Sequence, residues 1–216
     1  MVKVTWNGHS CFELKGQDLT MVTDPFKSIG LPEPRAAADI VLCSHSHYDH
    51  NNTKPVLRKN GQVFEAFTGS GHLTGITIKG VPSFHTKNQA PNVEKNSIYV
   101  FDLDGISFCH LGDLGHELSS STIEQIGKVD VLFIPVGGHF TIGPETATTV
   151  CEQLDPRIII PMHFRMPGLA SIFDPLKTVD AFLEGKKNID RIKGANIDIE
   201  ENKLPRQTRI LIMNLS

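Results

Sequence analysis

The sequence has no apolar run long enough to cross a bilayer: stretches such as 158–160 fall far short of the ~20 residues a spanning helix needs. It has no basic arm or stripe either. Lysine and arginine total 21 against 24 acidic residues, scattered along a chain of net charge −3, so the electrostatic footprint of a nucleic-acid backbone is missing. Cysteine is sparse. Cys11, Cys43, Cys109 and Cys151 share no close spacing, and Cys43 and Cys109 sit in apolar strand-like runs, which reads as buried, reduced thiols. The opening residues read as a strand with no apolar signal segment behind them, so a soluble, cytoplasmic protein without membrane association is expected. Repeats, low-complexity tracts and long linkers are also lacking. The bulk is ordinary, 216 residues and 39% hydrophobic, which suits one globular domain over 1–216; histidine, at ten, is the unusual residue.

Alternation and turn residues predict strands at 2–6, 11–14, 19–23, 40–43, 62–66, 75–81, 97–103, 106–111, 131–135, 158–161 and 209–213. Gly16 and Asp104-Gly105 suit hairpin turns. Helices are predicted at 55–59, between the Thr53 cap with Pro55 and the stop at Asn60-Gly61, at 121–126, at 145–154 behind Pro144, and at 176–184 after Asp174-Pro175. Hairpins followed by strand–helix units suggest two sheets packed face to face with helices on the outer sides.

The chemistry is concentrated after the apolar run 40–43, where Ser44-His45-Ser46-His47-Tyr48-Asp49-His50 places three histidines and an aspartate within six positions. In extended backbone, residues two apart point to the same side, so His45 and His47 can reach one point in space. A turn after Asp49 would bring Asp49 and His50 to a second point nearby. The spacing suits two metals, and imidazole nitrogen with carboxylate oxygen is a donor set that zinc accepts. Asp24, His85, Asp113 and His163 each stand just past the end of a further apolar run, where one sheet edge could gather them. Gly112 beside Asp113 permits close approach.

His45-Ser46-His47-Tyr48-Asp49-His50 resembles the HxHxDH signature of the metallo-β-lactamase superfamily, and the order Asp24, HxHxDH, His85, Asp113, His163 is similar to its succession of motifs across almost the whole chain. Trp6-Asn7-Gly8-His9-Ser10-Cys11, Thr23-Asp24-Pro25 and Gly112-Asp113 resemble the small stand-alone branch similar to the ascorbate-6-phosphate lactonase-like metal-dependent hydrolases. The resemblance implies an α+β, four-layer αββα sandwich of two mainly antiparallel or mixed sheets. It implies one metal on His45, His47 and His85, a second on Asp49, His50 and His163, and Asp113 bridging them. Asp24 would stand behind the ligands, fixing a histidine tautomer. His9 is expected near the site through its early loop.

The implied activity is hydrolysis of an ester, lactone or phosphodiester by a hydroxide held between two divalent ions, zinc in the first place, with manganese or iron admissible. Asp49 is expected to shuttle a proton, and His139, before the helix behind Pro144, to face the substrate as a catalytic donor. Lys27, Lys87 and Arg165 lie in loops beside candidate ligands, which admits an anionic small-molecule substrate. Neither a nucleic-acid nor a membrane partner is expected, and a homo-oligomer is compatible. Rival readings are a metal-binding sensor without turnover, an RNA-processing or phosphodiesterase member, and an iron redox enzyme, for which 216 residues leave no room for an added flavin domain.

Overall fold

In the computed structural model, which describes residues 1–73, 75–86 and 94–215, strand pairing divides the chain into two sheets. The first joins β1 (Val2–Gly8), β2 (Cys11–Lys15), β3 (Thr20–Thr23), β4 (Ala38–Cys43) and β5 (Leu57–Glu65) in sequence order, with β13 (Asn196–Ile199) beside β1. The second begins with β6 (Gly69–Leu73), β7 (Ile76–Phe84), β8 (Lys95–Leu103) and β9 (Ile106–His110) as an antiparallel run. It continues in parallel through β10 (Val131–Pro135), β11 (Ile158–Met162), β14 (Arg209–Ile212) and β12 (Ile189–Arg191). The fold is the αββα sandwich expected, with both sheets mixed.

Two successive reversals, from β1 to β2 and from β2 to β3, make β1 parallel to β3, and β4 then follows β3 in parallel. The hairpins β7–β8–β9 likewise align β7 with β9, and β10 and β11 keep that direction. Within each sheet, the loops leaving these aligned strands emerge at one edge.

The sheets meet over a continuous apolar core. Phe12 of the first sheet lies 4.3 Å, ring to ring, from Phe133 of the second, and Phe101, Phe108 and Phe133 continue as a stack. Burying rings in this way supplies most of the favourable free energy of such a core. The helices α1 (Ser120–Ile126), α2 (Pro144–Leu154) and α3 (Val179–Leu183) add apolar faces to the same core. A smaller cluster covers the far face of the first sheet, where Cys11, Val22, Val41 and Cys43 pack under Phe26, Ile29, Leu169 and Phe173, carried by loops and a 3-10 turn (Ser171–Phe173). All four cysteines are buried and free. No helix among the described residues is long and apolar enough to cross a membrane.

Three expectations change. Residues 55–59 do not form a helix: one helical turn closes when the Leu57 amide bonds to the Thr53 carbonyl, and pairing with β4 then takes over. Asn60-Gly61 forms an irregularity inside β5, since Leu57 pairs with Ala38 and Gln62 with Ile40. The helix expected at 176–184 shortens to α3, because the Lys177 amide and carbonyl bond to the Gly137 carbonyl and the Arg165 amide and are lost to helix formation. β6, β12 and β13 are additional strands, short and lying at the sheet margins, and His72 stands on β6.

Tyr99 ties the sheets together near the site. Its buried hydroxyl accepts the Phe67 amide at 3.1 Å and reaches the Cys43 and Phe64 carbonyls, both at 2.9 Å. Tyr99→Phe removes the acceptor of the Phe67 amide, and an unmade bond of this kind costs about 1–3 kcal/mol. Thermal unfolding of the variant is expected to start roughly 2–8 °C lower, with the native circular dichroism spectrum retained.

Candidate metal centre

Six strand ends converge on one edge. His9 follows β1, Asp24 follows β3, the His45–His50 segment follows β4, His85 follows β7, Asp113 follows β9, and His163 follows β11. Non-glycine residues at three of them, His9 (φ 52°), Asp24 (φ 40°) and His163 (φ 51°), occupy left-handed backbone that L-residues adopt at a cost. Glycines let the loops approach. A Cβ on Gly137 would stand 2.2 Å from the His163 carbonyl, one on Gly115 2.2 Å from the His85 carbonyl, and one on Gly112 2.3 Å from Asn96 Oδ1.

Asp24 organises the interior side. It is fully buried, and although burial opposes ionisation, His50 and then His110 hold its carboxyl below the usual range, so it can only accept. Its oxygens take the Ser44 amide (2.7 Å), the Ser44 hydroxyl (2.7 Å) and His50 Nδ1–H (2.9 Å). With its proton committed to Asp24, Ser44 Oγ must accept from His45 Nδ1, 2.9 Å away. Both rings therefore carry hydrogen on Nδ1, and both Nε2 atoms face the opposite side.

That side holds the donors. His9, Asp49, His50 and His163 form one set whose ligand atoms all lie within 4.8 Å of one another; His45, His47 and His85 form another, and His45, His50 and Asp113 link the two. Asp113 Oδ2 stands 3.1 Å from His85 Nε2, 3.2 Å from His163 Nε2, 3.4 Å from His50 Nε2 and 4.0 Å from His45 Nε2. Asn96 Oδ1 accepts the Asp113 amide at 2.9 Å, while Asn96 Nδ2 donates to Ser83 Oγ and the Leu111 carbonyl. His47 turns Nδ1 to within 2.9 Å of His45 Nε2 and gives Nε2 to Glu94. His9 comes closer than a supporting position behind the ligands: its Nε2 is 3.3 Å from Asp49 Oδ2, and its ring lies 4.1 Å from that of His163.

Electrostatics describe a place that calls for a cation. Burial would keep Asp113 neutral, yet His163 and His50 hold its carboxyl well below the usual range. His50, despite burial, is raised well above its ordinary value by Asp113, Asp49 and Asp24. Burial, reinforced by neighbouring histidines, pushes His45 down to about 3 and His9 to about 4, leaving neutral rings with free lone pairs. Buried His50 Nε2 and Asp113 Oδ1 have no hydrogen-bond partner among the described residues. Unpaired buried groups are costly, and neutral imidazoles around a carboxylate are the donors a divalent transition metal takes, so the residues fit such an ion.

Residues beyond the strand-end pattern complete the site. A cavity of about 200 Å³ opens beside the donors, with Tyr48, Phe140, Ile172 and Phe173 forming its other wall. Nothing in their spacing along the chain connects them. Ser44 and Asn96 were not singled out by sequence either; a serine touching the histidine block gives a clue only once Asp24 is known to face it. The exposed His139 ring lies edge-on to Phe140, and it is Phe140 that lines the cavity. His110 is a buried core histidine, with Nε2 3.0 Å from the Ser10 carbonyl. Arg165 is committed to Asp174 and to the Met166 carbonyl, both at 2.6 Å; Lys27 is exposed and does not line the cavity, and Lys87 lies outside the described residues.

The description "Beta-lactamase superfamily domain" matches residues 3–163. A metal-dependent hydrolase of Thermococcus onnurineus is 30% identical over 192 residues, covering 76% of this chain and 85% of its own. A metal-dependent hydrolase of Methanoculleus marisnigri is 31% identical over 185 residues, covering 76% and 81%. The crystal structure of a Thermotoga maritima protein, described as a candidate Zn-dependent hydrolase of the metallo-β-lactamase superfamily, aligns with a TM-score of 0.84 at 38% identity over 100% of both chains. With a match of that length, and with donors gathered at the ends of aligned strands, the chain belongs to the metallo-β-lactamase superfamily.

Proposed function

We propose that the protein is a binuclear metal-dependent hydrolase acting on an ester, lactone or phosphodiester bond of a small molecule. The observation that carries this reading is the convergence of two donor sets on Asp113, beside a cavity large enough for a small substrate. The similar proteins named as metal-dependent hydrolases support it.

His45, His47 and His85 would hold one ion, and Asp49, His50 and His163 the other, with Asp113 shared. Zinc suits three imidazoles on one side and mixed imidazole and carboxylate on the other. When bound, divalent ions supply Lewis acidity and lower the pKa of water from 15.7 toward ~7. The protein's part is to position and to manage protons. Asp24 and Ser44 keep the Nε2 lone pairs of His50 and His45 aimed at the ions. Asp49 Oδ2, close to His9 Nε2, is the atom placed to hold and return a proton. The aromatic wall limits water around the reacting group.

The zinc-loaded protein is expected to hold two equivalents by metal analysis and to hydrolyse generic ester, lactone or phosphodiester reporters. Asp113→Ala should lose at least one equivalent and reduce kcat/KM by about 100-fold or more, since several kcal/mol of charge stabilisation goes with the ion; two metals with full activity in this variant would remove the shared-ligand assignment. Inertness of the two-metal protein across all three reporter types would point instead to a sensor.

Asp24→Asn is expected to weaken metal affinity roughly 10- to 100-fold in a chelator competition, because the histidine tautomers are released while every donor stays in place. Gly112→Ala removes no donor either. Its Cβ would collide with Asn96 Oδ1 and Ser44 Cβ, so metal content below two equivalents is expected in a chain that remains folded.

A further inference from the structure

Large apolar side chains exposed among the described residues are Met1, Tyr48, Val63 and Ile172, and two of the four, Tyr48 (40% exposed) and Ile172 (56%), stand at the mouth of the cavity beside the metal donors. Exposed apolar groups gathered at a concavity mark a surface that a ligand covers. Behind Ile172 the wall is fixed: Phe173 is 3% exposed, packs 6.4 Å from the Phe140 ring and 5.1 Å from that of His9, and its turn is held by the Ala170 amide on the Ile29 carbonyl at 2.8 Å. No lysine or arginine among the described residues lines this space. An anionic substituent lodged against Phe140, Ile172 and Phe173 would lose its hydration against apolar side chains.

We propose that this cavity selects uncharged carboxylic esters or lactones carrying a short alkyl or aryl group, which lies against Phe140, Ile172 and Phe173. The proposal rests on the hydrolase reading above and narrows it away from phosphodiesters and other anionic substrates. One water is consumed per turnover: its oxygen joins the acyl carbon, the acyl carbon–oxygen single bond breaks, and the alcohol leaves with a proton from that water. At about 200 Å³ the space accepts a group of a few carbons.

The test compares p-nitrophenyl acetate, propanoate, butanoate and hemisuccinate, with bis(p-nitrophenyl) phosphate, on the zinc-loaded protein. From acetate to butanoate, kcat/KM should rise roughly fourfold per methylene, the value of burying each CH₂, mainly through KM. The hemisuccinate, of similar length but charged, and the phosphodiester should each fall at least tenfold below butanoate. Ile172→Lys alters an exposed residue and is expected to keep its metal content, while shifting preference from butanoate toward hemisuccinate by tenfold or more. A flat chain-length series, hemisuccinate or phosphodiester turned over as well as butanoate, or an unchanged preference in Ile172→Lys would overturn the proposal and leave the hydrolase reading intact. Inertness toward the whole panel and toward a lactone reporter as well would overturn both.

Discussion

A carboxylate sealed from water can accept hydrogen bonds and cannot give one, and the architecture of this site follows from placing Asp24 under that constraint. Through the serine hydroxyl it dictates the tautomer of His45, and by direct contact it dictates that of His50. Asp24 itself touches neither donor nitrogen that faces the cavity. It acts by fixing the Nδ1 side of each ring, so both Nε2 atoms are aimed before any ion arrives. That pre-orientation avoids reorganisation on binding, and it explains why a residue some twenty positions upstream of the histidine block belongs to the same device.

The second constraint is directional. A strand delivers its following loop to the edge toward which it runs, and reversals at β2 and β8 return the chain so that β1, β3 and β4, and then β7, β9, β10 and β11, deliver theirs in register within each sheet. A rigid, doubly covered core fixes the starting point of each loop to within the packing tolerance of its side chains. The left-handed backbone at His9, Asp24 and His163 then turns each side chain back over the edge within a single residue. Conformational strain at these positions is offset by the core beneath them.

Much of this was legible in the sequence for a physical reason. Donors on strand ends must follow apolar runs, so Asp24, His85, Asp113 and His163 stand out by position, and the histidine block by density. The pairing of His45 with Ser44 was not legible, since a hydroxyl beside a histidine acquires meaning only when a distant carboxylate is folded against it. Residues 55–59 carry a good helix start, and the competition from β4, which is non-local, overrode it. The margin strands escaped notice because strands such as β6 are exposed and lack an alternating pattern. The apolar wall joins residues 48, 140, 172 and 173, and no local rule spans such separations.

The buried thiols have a practical corollary. Cys11, Cys43, Cys109 and Cys151 are all sequestered, and burial raises each above the ordinary thiol range, Cys151 to about 12. Thiolate is the reactive form, so alkylating reagents find almost none while the chain is folded. Each thiol becomes modifiable only when its own layer opens: Cys151 on α2, Cys109 in the second sheet, Cys11 and Cys43 under the loops covering the first. Mass spectrometry after brief alkylation pulses would thus report, layer by layer, the sequence in which the sandwich comes apart, without the introduction of any label.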